Sequence, residues 1–495
     1  MRANMIKVSK GLSAALLLAA LAACGSGLNS SSGTAAPSSS TGGGSNNTPP
    51  GIPNNIVFIA PASGNTVIAL QGTGGKTNAE VTFEVDDASN TGVPGVAVTF
   101  SLIPSTGDAS LTTTTGTTAA NGQASTFVVS GNEHYSVTVL ATVSTPSGVK
   151  TASSNSLAIT TGIPTQGNFA MASAKLTANN ADDTQNVTDV ITVQLSDRFN
   201  NPAPDGTAVA FTANIGQIPG ACLTVGGGCS VTWSSSGDGI YNLEPHIAGH
   251  VEILAYTVGE ESFTDVNGDG VFDDTDSFTT YPGTGAGDAF DEGLGNPGQD
   301  DIGEVYLDGN EIGSFQSGEF FHDFNNDHIR NPPDGKFYGF GCKGTATVHC
   351  GSTTTKEIGK QICIAASTSS ALIGVTGGGT GATFSGNTLS MGTATTATVT
   401  FTVSDMNGQG LASGTAVSLL QAGITGAITI SIPTNLPFTY QDSGCGSNQQ
   451  TFTVTVALVN PPPAGVLPGG TLQLNVVTPG AGGALTPSNV ITITQ

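Results

Sequence analysis

Three separated stretches of this chain carry one alternation, and that repeat limits the possible folds more than any other feature. Val81-Thr82-Phe83-Glu84-Val85-Asp86-Asp87 leads into Pro94-Gly95-Val96-Ala97-Val98-Thr99-Phe100. Ile191-Thr192-Val193-Gln194-Leu195-Ser196-Asp197 leads into Asp205-Gly206-Thr207-Ala208-Val209-Ala210-Phe211, and Val399-Thr400-Phe401-Thr402-Val403-Ser404-Asp405 leads into Gly414-Thr415-Ala416-Val417-Ser418-Leu419. In a strand successive side chains point to opposite faces, so an apolar residue at every second position gives one face to a core and the other to water. The Asn, Gly and Pro residues between the two halves of each unit are turn formers. Each unit is therefore a strand, a turn and a strand, and its recurrence at domain scale predicts duplicated β modules. Helical alternatives are disfavoured because only 10% of the residues are charged, whereas Gly contributes 69 and Pro 25. The predicted fold class is all-β, as tandem β-sandwiches.

The first module adds Thr118-Ala119-Ala120-Asn121-Gly122-Gln123-Ala124, then Val137-Thr138-Val139-Leu140-Ala141, and ends in Ser154-Asn155-Ser156-Leu157-Ala158-Ile159-Thr160. Together these resemble the bacterial immunoglobulin-like group 1 domain of invasin and intimin type proteins. The resemblance implies immunoglobulin-like sandwiches over 53–162, 163–368 and 369–495, with Ser488 to Thr494 as the closing strand of the third. Asp87 and Asp197 are 110 positions apart but Asp197 and Asp405 are 208 apart, so the second module carries an insertion. Val251-Glu252-Ile253-Leu254-Ala255 matches Val137 to Ala141, and the last strand returns near Gln361 to Ala365. The insertion is thus expected at about 259–341, between the last two strands of the second sandwich.

Between residues 260 and 335 there are 19 acidic residues and one basic residue, Arg330, within a chain whose formal charge is -24. Such density repels itself unless a cation neutralises it, and the overall charge excludes nucleic acid as a partner. Asp265, Asn267, Asp269, Asp273 and Asp276 stand at positions 1, 3, 5, 9 and 12 of a loop, with Gly270 at 6 and the Val271 carbonyl at 7. That is the EF-hand calcium spacing with Asp at the end instead of Glu. Asp323, Asn325, Asp327, the Ile329 carbonyl, Asn331 and Asp334 repeat it, with His328 where Gly is preferred. A degenerate copy runs from Asp308 through Asn310 and Gly313 to Glu319, with Ile312 at a ligand position. The loops resemble those of dockerins and thrombospondin type 3 repeats, which implies calcium organising chain with little apolar core. The Ser277 to Gly283 segment departs from the dockerin helix, and this argues against cohesin docking.

Arg2, Lys7 and Lys10 precede an apolar run from Ala14 to Ala23 that is too short for a stable membrane span. Leu21-Ala22-Ala23-Cys24 resembles the lipobox of bacterial lipoproteins. The resemblance implies a signal peptide at 1–23, lipid on Cys24, and an outer-membrane location, with the periplasmic and surface faces both open. Residues 24–52, rich in Ser, Gly, Thr and Pro, form a tether too poor in apolar surface to order itself. Six further cysteines, an even number in an exported chain, predict three disulfides among fifteen pairings. Cys222 and Cys229 flank a glycine hairpin; Cys342 is paired with Cys350 and Cys363 with Cys445, against the rival reading of zinc on Cys342, His349, Cys350 and Cys363. Gly72-Thr73-Gly74-Gly75-Lys76-Thr77 lacks the first glycine of a phosphate loop, and the six histidines lie in no nucleophile arrangement. The reading is a non-catalytic, membrane-anchored structural or adhesive stalk stabilised by calcium, facing a surface protein or polysaccharide. The alternative is an accessory carbohydrate-binding or enzyme-presenting subunit, which would expose aromatics such as Phe290, Tyr306, Phe320, Phe321 and Tyr338.

Overall fold

The computed structural model describes residues 51–61, 66–273, 275–278, 300–342, 350–351, 355–446, 449–461, 463–479 and 490–495. Cys24, the signal region, His349 and Phe290 lie outside them. No helix among the described residues is long and apolar enough to cross a membrane.

The strands fall into three groups, Asn55 to Thr160, Phe169 to Ala366 and Ala371 to Thr494, and each group makes two facing sheets. One sheet of each is centred on the strand that the alternation identifies: Asn78–Asp86, Thr188–Leu195 and Thr396–Asp405. In the other sheet a short strand lies parallel to the last strand, which is followed by a long strand, Tyr135–Thr145 in the first module and the penultimate strand in the other two, and then by the second half of the repeat unit. In the second sandwich that order is Thr177–Ala178, Lys356–Ala366, His250–Gly259, Ala208–Ala213 and Ala221–Leu223. This is the order of an immunoglobulin-like sandwich, repeated three times.

The inward residues of the repeat units, Val81, Phe83 and Val85, then Ile191, Val193 and Leu195, then Val399, Phe401 and Val403, are all fully buried in separate cores. Trp233 lies in the second core and donates its indole N–H to the Ile215 carbonyl at 2.8 Å.

The aspartate that ends each repeat unit has a specific task. Its Oδ1 accepts two N–H groups of the following turn: Ser89 and Thr91 on Asp87, Phe199 and Asn201 on Asp197, Asn407 and Gln409 on Asp405, all at 2.8 to 3.0 Å. The third residue after it takes positive φ, 58° at Asn90, 63° at Asn200 and 79° at Gly408, which is why Asn or Gly stands there. In the second and third modules Oδ2 reaches back into the connecting segment. Asp197 accepts the Thr160 hydroxyl and the Gly162 N–H (3.4 Å), and Asp405 accepts the Thr368 N–H at 3.1 Å. Both aspartates are fully buried.

Other contacts reinforce each junction. His134 of the first module stacks on Phe199 of the second, with ring centroids 3.6 Å apart. Asn179 and Ser413 bond reciprocally across the second junction, Asp183 accepts the Ser369 N–H, and the disulfide Cys363–Cys445 joins the second sandwich to the third. Cys222–Cys229 and Cys342–Cys350 are also joined, so none of these cysteines offers a thiolate to zinc.

Candidate functional site

Strands His250–Gly259 and Lys356–Ala366 pair antiparallel down to Gly259 opposite Lys356, so the insertion leaves the sheet as residues 260–355. It is longer at its C-terminal end than the expected 259–341 because the last strand begins at Lys356. At its foot stand Glu260 and Glu261, both fully buried. Glu260 accepts the Thr165 hydroxyl (3.2 Å) and the Phe340 N–H (3.0 Å) and faces Arg198 at 3.5 Å. Glu261 accepts the Ile302 and Tyr338 N–H groups at 2.9 and 2.8 Å and pairs with Lys356 at 3.2 Å. The two carboxyls thus fasten both limbs of the insertion to the sandwich. Burial raises Glu260 to about 7 against the pull of Arg198, and raises Glu261 to about 8 against Lys356.

The expectation of little apolar core is corrected by two anchors. Leu254 projects from the outer face of its strand and is covered by Val305, Tyr306 and Leu307, with Tyr256, Phe315, Phe320 and Phe321 around them. Phe263, Phe272, Phe278 and Phe337 form a second cluster with ring centroids 4.7 to 6.1 Å apart. An apolar Leu254 on a face that alternation assigns to solvent was the signal for a covering layer. Tyr306 is fully buried and Phe320, Phe321 and Tyr338 are partly buried, so these rings do not form the exposed platform that carbohydrate binding would require.

All three acidic loops take one backbone course. Positions 4 and 6 have positive φ in each: Gly268 and Gly270, Glu311 and Gly313, Asn326 and His328. The first carboxylate folds over the loop and accepts its N–H groups: Asp265 from Gly268 and Gly270, Asp308 from Ile312 and Gly313, Asp323 from Asp327 and His328. Asn267 and Asp269, like Asn325 and Asp327, accept the N–H two residues on. A left-handed His328 carries the steric cost that Gly avoids in the first loop.

The loops differ in how position 12 is filled. In the first, Asp276 accepts the N–H of Val266 at position 2 (3.0 Å) and of Asp273 at position 9 (2.9 Å). In the middle loop Glu319 accepts the N–H of Gln316 at position 9 (2.6 Å). In the third loop the groups at positions 2 and 9 are Phe324 and Asn331, and both donate to Glu304 at 3.0 Å. Asp334, which the spacing assigns to this role, accepts the Tyr338 hydroxyl and the Lys336 N–H instead. The sequence reading missed Glu304 because it lies 20 residues before Phe324 and outside any local spacing.

No family model and no curated protein matches the chain. Among solved structures it is similar to the Escherichia coli adhesin FdeC, at 12% identity over 89% of this chain and 96% of that one, with a TM-score of 0.31. InvD of Yersinia pseudotuberculosis gives 12% identity over 89% and 96%, with a TM-score of 0.26. The D0-D1 domain of intimin gives 17% over 41% and 90%, with a TM-score of 0.19. The immunoglobulin-like arrangement follows from the strand order of the three modules themselves.

Proposed function

We propose that this chain is a cell-envelope lipoprotein, anchored through lipid on Cys24, whose three sandwiches act as a non-catalytic adhesive or structural stalk. The observation that carries the reading is the pair of clamped junctions. A freely jointed array needs no buried aspartate reaching from the second and third modules into the segments before them, and no disulfide between those two modules; an array that transmits load between membrane and partner does. Its expected counterpart is a surface protein or polysaccharide.

Calcium is proposed to stiffen the insertion that buttresses the second module. In the first loop the donors would be Asp265, Asn267, Asp269, the Val271 carbonyl, Asp273 and Asp276. In the third they would be Asp323, Asn325, Asp327, the Ile329 carbonyl and Asn331, with Glu304 closing the cage in place of Asp334. Many flexible oxygens suit calcium better than magnesium. Asp308, Asn310 and Glu319 make the weaker middle candidate, because Ile312 offers no side-chain oxygen.

The test is protease accessibility on intact cells, with and without chelator, for the parent and for Cys24→Ser. A surface stalk is cleaved in the insertion only after chelation, and the Cys24→Ser product leaves the membrane fraction. A Cys24→Ser product that stays membrane-bound after a salt wash refutes the anchor. Cleavage that chelation does not change refutes the calcium role.

A further inference from the structure

Beside the docked insertion lies a group of side chains that neither the loops nor the apolar anchors explain. His250 and Glu252 are two residues apart on one strand, so both project from its outer face, and Glu252 lies opposite Cys363 on the neighbouring strand. From above, the middle loop brings Glu311, whose carboxylate is bonded to His250 Nδ1. One donor atom from each of His250, Glu252 and Glu311, together with the sulfurs of Cys363 and Cys445, all lie within 4.8 Å of one another. His250 is 5% exposed and Glu252 1%.

Glu252 is the informative member. Its Oε2 accepts the Gln361 amide at 2.7 Å, while Oε1 is buried with no hydrogen-bond partner among the described residues. The group it faces, Glu311, is another acceptor. Burial first, and then Glu311, push the Glu252 carboxyl well above its ordinary range. Two facing carboxyls and an imidazole, two of the three almost fully buried, are stabilised by a cation shared among them.

We propose that His250, Glu252 and Glu311 form a binding site for one divalent metal ion of the zinc class. One imidazole nitrogen and two carboxylate oxygens are a donor set for zinc and its neighbours, whereas calcium takes six or more oxygens and gains little from imidazole. The disulfide sulfurs are oxidised and are not ligands. The site opens on a cavity of about 540 Å³ lined by Glu252, Glu311, Gln361, the disulfide and Ser443 of the third module, which gives room for a water as fourth ligand. Glu311 occupies position 4 of the middle loop and donates nothing to that loop's expected calcium set, so the two kinds of site share no ligand, although Gln361 bonds both Glu252 and Asp308. A bound ion would tie the insertion to the second sandwich beside the disulfide that holds the third.

The test uses the full chain, stripped with chelator, saturated with calcium and titrated with zinc by calorimetry, with cobalt as a spectroscopic probe. One equivalent of zinc and visible bands of low-symmetry cobalt are expected, and affinity falls at least tenfold in His250→Gln, Glu252→Gln and Glu311→Gln. Trp233 fluorescence checks folding, and if a fully buried variant misfolds, the partly exposed Glu311→Gln decides. Asp265→Ala with Asp323→Ala should keep the zinc while losing calcium-dependent protection, so a failure of the calcium reading is seen separately. No zinc uptake, or equal affinity in the folded variants, overturns the proposal.

Discussion

Replacing Asp197 by Ala should loosen the first junction and the second sandwich together. The carboxylate is fully buried and receives five hydrogen bonds, three from its own turn, including the Asn201 amide, and two from Thr160 and Gly162 of the preceding segment. Bonds to a charged group contribute roughly 1.5 to 3 kcal/mol each, but the loss is not additive, and water enters the vacated space. A net cost of about 3 to 5 kcal/mol follows, in the range for dismantling a buried charged network. The assay is available in the chain itself, because Trp233 is its only tryptophan and sits 1% exposed in the second core. Urea unfolding followed by Trp233 emission therefore reports this sandwich and not its neighbours. The transition should move to lower urea with an unchanged slope, and residues 161–165 should become a protease site. Asp87→Ala removes only two turn bonds from a half-buried position and should cost about 1 to 2 kcal/mol, read by circular dichroism. If Asp197→Ala shifts the Trp233 transition by less than about 1 kcal/mol, the clamp argument fails.

Glu304→Gln should weaken calcium binding at the third loop at least tenfold, while Asp334→Asn changes it less than threefold; calorimetry on the two variants separates the fold-derived ligand from the spacing-derived one. Reducing Cys363–Cys445, or replacing both by Ser, opens a loop of 82 residues and should destabilise the second junction by up to about 4.5 kcal/mol on the chain-entropy estimate, measured by urea unfolding. Tyr306→Ala empties the centre of the apolar anchor, at about 3 to 5 kcal/mol, and should release the insertion to proteolysis while Trp233 stays buried. Glu260 and Glu261 titrate at about 7 and 8 in the folded protein against an ordinary 4.5, so between those values the folded state binds more protons than the unfolded one. Docking of the insertion should therefore be tightest near pH 5 and weaken as pH rises to 8, by up to about 6 kcal/mol for the two groups together, seen as faster hydrogen exchange at 301–307 and 337–340 in chelator.

Period-two alternation is local, and it was enough to mark the core strands: Val81, Phe83 and Val85 and their counterparts are buried as the pattern requires. The turns were equally legible, from the Asn, Gly and Pro residues between the two halves of each unit, but the aspartates' part in holding them came only from the hydrogen bonds of the folded chain. Spacing also placed Asp276 where it meets the N–H groups of positions 2 and 9 of its own loop, since a twelve-residue loop brings its own ends together. In the third loop the N–H groups at positions 2 and 9 turn instead to Glu304, a carboxylate from an earlier segment. Glu304, the second oxygens of Asp197 and Asp405, and the meeting of His250, Glu252 and Glu311 depend on segments far apart in sequence being folded against each other. No periodicity encodes such pairs: what brings them together is the burial of Leu254 and Tyr306, which docks the insertion, and the order of strands, which sets one module on the next.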